Sequence, residues 1–249
     1  MEKSANIFRF KKFNVMNERS AMKVNTDGVL LGAGMTICPT DRRLLDVGTG
    51  TGTIALMSAQ RLSALTDDTS FIIDAVDIDK VSAEEAGANF ANSPWKNMLR
   101  AYNTALDAFS DELESDVRYD LIFSNPPYFE DSLLAPEERR CNARHTSTGL
   151  SYRELLEFAS ERLAADGRVA IVLPSEQEDR LCRYSRMCGL HLFRIMRIKT
   201  VPRKAPSRII AEFGRERCPE PEEVTLTIQN EGKYTEEYLS LTHDFYLFA

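Results

Sequence analysis

Asn125-Pro126-Pro127-Tyr128 sets a carboxamide, two imino acids and an aromatic ring in a row at the end of the apolar run Tyr119–Ser124. A short apolar run stopped by a proline pair reads as a buried strand, because proline cannot continue a hydrogen-bonded ladder. Proline also lacks an N–H, so the turn presents backbone carbonyls as acceptors. An Asn side-chain oxygen and a neighbouring carbonyl aimed at one point can accept both hydrogens of a planar –NH2 group. Tyr128 can lie against the ring that carries that group, as aromatic side chains do with unstacked bases. A plain strand-ending turn is the alternative, since Asn and Pro favour turns anyway.

The elements before the tetrapeptide decide between the two. Arg43–Val47 reads as a strand followed at once by Gly48-Thr49-Gly50-Thr51-Gly52, and residues 53–59 have helical periodicity. Strand, glycine loop and helix together form a ligand-binding turn, in which glycines let the backbone come close and the helix N-terminus offers N–H groups to an anion. The pattern is G-x-G-x-G rather than the dinucleotide G-x-G-x-x-G, and Asp46 precedes it. A carboxylate there repels phosphate and welcomes an ammonium group, which fits S-adenosylmethionine, a molecule with an ammonium, a carboxylate and no phosphate. Residues 71–77 read as a second strand ending at Asp77, placed to accept both ribose hydroxyls; Asp79 suits the cap of a helix over 81–90. A third strand over 97–103 brings Asn103 to its end, either to bond the cofactor adenine or as a turn residue. With a helix over 105–114, the tetrapeptide falls at the carboxyl end of the fourth strand, beside the glycine loop of the first. In an open α/β sheet, ligands bind in that crevice.

Upstream, residues 8–15 suit a short strand or arm. Thr26 or Asp27 suits a helix cap before Gly28, or faces the ligand beside the first strand. Downstream, residues 129–150 form a long charged connection, a length that points to function. Helices over 152–164 and 176–188 flank a fifth strand over 167–173, and residues 191–201 and 209–214 form a closing antiparallel hairpin with Arg203, Lys204 and Arg208 at its tip.

The chain has 249 residues, 43% hydrophobic and 28% charged, ordinary for one soluble α/β domain with residues 1–40 as its N-terminal arm and first helix. The sequence contains no membrane-length apolar run and no signal-peptide core, so a cytoplasmic location is expected. Five cysteines, odd in number and without a C-x-x-C pair, favour reduced thiols, and three scattered histidines give no metal-ligand spacing, so no metal is expected. A net charge of −7 argues against indiscriminate nucleic-acid binding, yet Arg139, Arg140 and Arg144, and Arg194 through Arg208, form local basic clusters suited to phosphate. A monomer is the default expectation.

Taken in order, Asp46 with Gly48 to Gly52, Asp77 and Asn125-Pro126-Pro127-Tyr128 resemble a class I S-adenosylmethionine-dependent methyltransferase acting on amino nitrogens. The stretches Phe10-Lys11-Lys12-Phe13 and Met22-Lys23-Val24-Asn25-Thr26-Asp27-Gly28 resemble the bacterial tRNA1(Val) adenine-N6 methyltransferase family. So do Ala143-Arg144-His145, Arg203-Lys204-Ala205-Pro206-Ser207-Arg208 and Tyr234-Thr235-Glu236-Glu237-Tyr238. The sequence departs from that family's usual pattern at Asn25, where a small residue is expected, and at Asn103-Thr104, where an acid is more usual. The resemblance implies a Rossmann-like sheet of seven mostly parallel strands, helices on both faces and a C-terminal antiparallel hairpin. It implies methyl transfer from S-adenosylmethionine to N6 of adenosine 37 in tRNA, and no membrane partner. Asn125, Pro126, Pro127 and Tyr128 would do the chemistry. Thr26, Asp27, Asp46, Gly48, Gly50, Gly52, Asp77 and Asn103 would hold the cofactor, and Tyr128, Phe129, Arg144, Arg203, Lys204 and Arg208 the RNA. Three alternatives stay open: a glutamine N5-methyltransferase acting on a release-factor-like protein, another N6-adenine nucleic-acid methyltransferase, and a non-catalytic RNA-binding protein with this fold.

Overall fold

The structure is a computed structural model and describes residues 6–66, 70–127 and 150–249; Tyr128, Phe129 and Arg144 lie outside the described residues. Its centre is an eight-stranded sheet of β3 (Arg43–Val47), β4 (Ile72–Asp77), β5 (Leu99–Asn103), β6 (Tyr119–Ser124), β7 (Leu163–Pro174), β8 (His191–Lys199), β9 (Arg208–Gly214) and β10 (Glu222–Thr227). Their spatial order is β10-β8-β9-β7-β6-β3-β4-β5. Strands β3 to β7 run parallel, and β9 enters antiparallel between β7 and β8. The expected seven strands are therefore eight: β10 adds a parallel edge strand beside β8, pairing Val224 with Met196 and Leu226 with Ile198. Two short hairpins, β1 (Ile7–Arg9) with β2 (Asn14–Met16) and β11 (Gln229–Asn230) with β12 (Lys233–Tyr234), lie outside the sheet.

Alternation along each strand builds two cores, because successive strand side chains point to opposite faces. Leu44, Ile73, Leu121, Phe123, Ala170 and Val172 pack on one face with helices α1 (Thr26–Gly34), α2 (Thr53–Leu65) and α3 (Lys80–Ala91). Leu45, Val76, Ile122, Val169, Ile171 and Phe213 pack on the other with α4 (Leu106–Glu112), α5 (Tyr152–Arg162) and α6 (Glu178–Met187). A parallel sheet covered on both faces needs apolar residues at nearly every position, which is what these strands carry. The last helix, α7 (Glu236–Thr242), closes against the first face through Tyr238.

Most boundaries fall within two or three residues of those expected from the sequence. The start of α1 differs in its cap. Neither Thr26 nor Asp27 caps it; Asn25 does, its side-chain oxygen accepting from Gly28 N at 2.8 Å. Three adjacent residues could each cap this helix, and the carboxylate of Asp27 is drawn elsewhere, to Arg208 Nε at 2.9 Å.

The arm before α1 is fastened by one face of α3. Glu85 is buried and accepts three successive backbone amides, those of Glu18, Arg19 and Ser20, at 2.9, 2.8 and 2.7 Å. One turn further on, Asn89 exchanges hydrogen bonds with Met16, accepting from its N–H at 2.7 Å and donating to its carbonyl at 3.0 Å. Asn89 also donates to the Thr51 carbonyl at 2.8 Å, so one amide holds both the arm and the glycine loop.

Candidate active site

Three backbone amides and one hydroxyl place the site. Ser124 Oγ donates to the Val47 carbonyl at 2.7 Å, which pins the end of β6 to the end of β3. Gly48 and Thr49 then both donate to the Val76 carbonyl, at 2.9 and 3.1 Å. Gly50 N donates to Asp77 Oδ2 at 2.8 Å, which draws the glycine loop over the tip of β4. The loop and the tips of three strands thus form one rim.

Gly48, Gly50 and Gly52 all have positive φ, of 71°, 58° and 78°. Gly52 is further constrained because a Cβ there would lie 2.4 Å from Phe90 Cε1. A Gly52→Ala variant is expected to lose about 2–4 kcal/mol of stability, from the left-handed backbone and the forced overlap. Urea denaturation measures it; a midpoint equal to wild type would contradict it. The glycine at 52 also precedes α2 without any side-chain cap and with no acidic residue in the first helical turn. Of its first-turn amides, that of Ala55 is directed towards Asp46 and favours its charged form.

Asp46 is fully buried. Its Oδ2 accepts from Thr49 Oγ1 at 2.7 Å, while Oδ1 has no hydrogen-bond partner among the described residues. Burial pushes its pKa up to about 7. Asp77 is also raised by burial, and its two oxygens receive the amides of Gly50 and Asp79. Asp79 caps α3 through Ser82, leaving Asp77 as the carboxylate at the strand tip. Asn103, opposite Asp77 in β5, donates its Nδ2 to the carbonyls of Asp77 and Ile78 at 3.1 and 3.0 Å. Its amide nitrogen braces that turn, whatever its oxygen does. Ile78, 64% exposed beside Asp77, is an apolar surface that sequence reading passed over.

Asn125 is 4% exposed and lines one cavity with Met22, Asn25, Gly28, Gly48, Thr49, Gly50, Thr51 and Thr53. The two halves of the site anticipated from sequence therefore share a space. Its volume is about 20 Å³, room for roughly one water molecule and less than a nucleoside fills. A broader depression of about 370 Å³, lined by Leu239, Ser240, His243, Asp244 and Ala249, has neither glycine loop nor strand tip and is not this site. Thr26 and Asp27 do not line the cavity. Arg208 begins β9 opposite Pro174 and is bonded to Asp27. The β8–β9 turn therefore lies at the carboxyl end of β7, the same end as Asn125, with Arg203 and Lys204 exposed on it. Among the described residues, no group of three or more histidine, cysteine and acidic side chains could hold a metal ion.

Comparison with known proteins agrees with this geometry. The model of the methyltransferase small domain family matches residues 20–182. A predicted O-methyltransferase from Agrobacterium tumefaciens superposes with a TM-score of 0.61 over 88% of this chain and 96% of its own, at 15% identity. The Thermus 16S rRNA N2 G1207 methyltransferase, solved with AdoMet and guanosine, gives 0.55 over 86% of this chain and 50% of its own, at 16% identity. Identities this low speak for the fold alone. Sheet, glycine loop and family model together define a methyltransferase with a class I fold.

Whole-chain relatives are closer. A tRNA1(Val) (adenine(37)-N6)-methyltransferase of Parabacteroides distasonis is 43% identical across 96% of this chain and 97% of its own. Proteins of the same name from Bacteroides fragilis and Flavobacterium psychrophilum are 39% and 37% identical over similar spans. The chain belongs to the tRNA1(Val) (adenine(37)-N6)-methyltransferase family.

Proposed function

We propose that this enzyme transfers a methyl group from S-adenosylmethionine to N6 of adenosine 37 in tRNA1(Val). The observation that carries the reading is that Asn125 and the glycine loop line one cavity at the carboxyl ends of adjacent strands. The residues present fit the cofactor. The buried, partnerless Oδ1 of Asp46 matches an ammonium, the α2 N-terminus a carboxylate, Asp77 the ribose hydroxyls and exposed Ile78 an adenine face. When bound, S-adenosylmethionine supplies an electrophilic methyl group on a sulfonium.

The adenine amino nitrogen is a poor nucleophile because its lone pair is delocalised into the ring. Asn125 Oδ1 and the Pro126 carbonyl, accepting its two hydrogens, favour a pyramidal nitrogen with the lone pair directed out of the ring plane. Positioning supplies the rest. No base is needed beforehand, because the methylated ammonium is acidic and releases its proton readily. The base must be unstacked to reach this crevice, which costs least in a loop. Tyr128 and Phe129 are assigned to stack on it, and Arg144, Arg203 and Lys204 to the phosphates. Arg208, already paired with Asp27, acts at one remove by shaping the basic turn. A cytoplasmic location follows from the tRNA substrate, and no helix among the described residues is long and apolar enough to cross a membrane.

The relatives named above modify tRNA, which disfavours the glutamine-amide reading. The test is labelled-methyl transfer to a tRNA1(Val) transcript and to the same transcript with guanosine at position 37. Incorporation only into the first, recovered as N6-methyladenosine, is expected. Equal labelling of both transcripts, or labelling of a release-factor-like protein instead, would refute the assignment.

A further inference from the structure

Asn25 does more than cap a helix. Its Oδ1 accepts from Gly28 N at 2.8 Å and its Nδ2 donates to the Lys23 carbonyl at 3.0 Å. These two backbone groups fix which end of the Asn25 amide is which, because an N–H can only donate and a carbonyl can only accept. The same Oδ1 lies 3.4 Å from Asn125 Nδ2. An oxygen faced by an amide end admits only the nitrogen end. Asn125 is therefore held in one of its two possible orientations, with Oδ1 on the edge opposite Asn25. Met22 Sδ, 3.8 Å from the same Nδ2, agrees with that choice, since sulfur is a weak acceptor and would gain nothing from an oxygen.

We propose that Asn25 is a positioning residue that sets the orientation of the Asn125 carboxamide, so that an oxygen rather than a nitrogen meets the substrate amino group. The inference rests on the proposed role of Asn125 as hydrogen acceptor. A flipped Asn125 would set an NH2 group against an NH2 group, a repulsive contact that weakens both ground-state alignment and the transition state.

The cap and the orienting contact can be separated. Serine caps helices nearly as well as asparagine but is one atom group too short to reach Asn125; aspartate caps and still offers Asn125 an oxygen, and both variants give up the Asn25 Nδ2 bond to the Lys23 carbonyl, so that loss is common to the pair. Asn25→Ser is expected to melt no lower than Asn25→Asp and to keep the S-adenosylmethionine affinity and the KM for tRNA, while kcat falls about tenfold, the equivalent of one hydrogen bond. Asn25→Asp is expected to keep kcat within about threefold. Placed in an Asn125→Ala background, Asn25→Ser is expected to cost nothing further, whereas a merely structural residue would subtract again. Wild-type kcat in Asn25→Ser, equal losses in the serine and aspartate variants, or additive losses in the double variant would each overturn the proposal while leaving Asn125 in place. Full turnover in Asn125→Ala would remove the underlying reading and this inference with it.

Discussion

Asn125→Ala is expected to lower kcat for tRNA methylation by a factor on the order of 10²–10³, the usual loss on removing one preorganised hydrogen-bonding group from a reacting centre. S-adenosylmethionine affinity is expected to stay within about threefold of wild type, because the residues assigned to the cofactor lie on β3, the glycine loop after it, the tip of β4 and the start of α2. The variant is expected to fold: Asn125 follows β6, whose end is held by the Ser124 hydroxyl on the Val47 carbonyl. Truncation removes one side-chain partner of Asn25, which keeps its bonds to Lys23 and Gly28. Single-turnover kinetics with labelled cofactor and calorimetric cofactor titration separate the two effects. A variant that binds cofactor poorly and methylates normally once saturated would show that Asn125 serves the wrong ligand in our reading.

Asp46→Asn is expected to act in two opposite directions. A buried carboxylate with its pKa pushed up to about 7, against an ordinary 3.8, is costly to ionise. Between about pH 4 and pH 7 the folded protein holds this proton more tightly than the unfolded chain does, so this group lowers stability as pH rises through that window. Above pH 7 the penalty is fully present, on the order of 4 kcal/mol at about 1.4 kcal/mol per unit. The asparagine variant without cofactor is therefore expected to be more stable than wild type at pH 8, by up to that order, with the gap closing towards pH 4. Its S-adenosylmethionine Kd is expected to weaken about a hundredfold, the loss typical when one partner of a buried charge pair is removed. Melting curves across pH, with and without cofactor, read both effects. Equal cofactor affinity in the two proteins would disconnect Asp46 from the ammonium.

The strands that carry the site were legible because each announces itself locally. Arg43–Val47 and Tyr119–Ser124 are short apolar runs ended by glycine and proline, and their side-by-side placement follows from the α/β pattern. The fold class followed from that. The eighth strand was not legible: Glu222–Thr227 buries only Leu226, and its parallel partner β8 lies more than twenty residues back, so neither alternation nor a tight turn marks it. The cap at Asn25 was lost for a different reason. Asn25, Thr26 and Asp27 are equally good candidates by type, and only the ion pair of Asp27 with a residue 181 positions away decides among them. Glu85 and Asn89 gave a weak signal, two polar residues one turn apart on a helix face that also buries Ala86 and Phe90. Their partners are main-chain groups of the arm, which composition does not reveal.

That helix face has an evolutionary consequence. Glu85 answers to three main-chain amides of the arm, and Asn89 to the arm and the glycine loop together. Because these partners are backbone, the arm's side chains at 18 and 19 can change without disturbing Glu85, at the cost only of the exposed ion pair of Arg19 with Glu84, while the helix positions cannot. A lineage could redesign the outer surface of the arm for a different RNA without disturbing the crevice, provided those two helix residues stayed as they are.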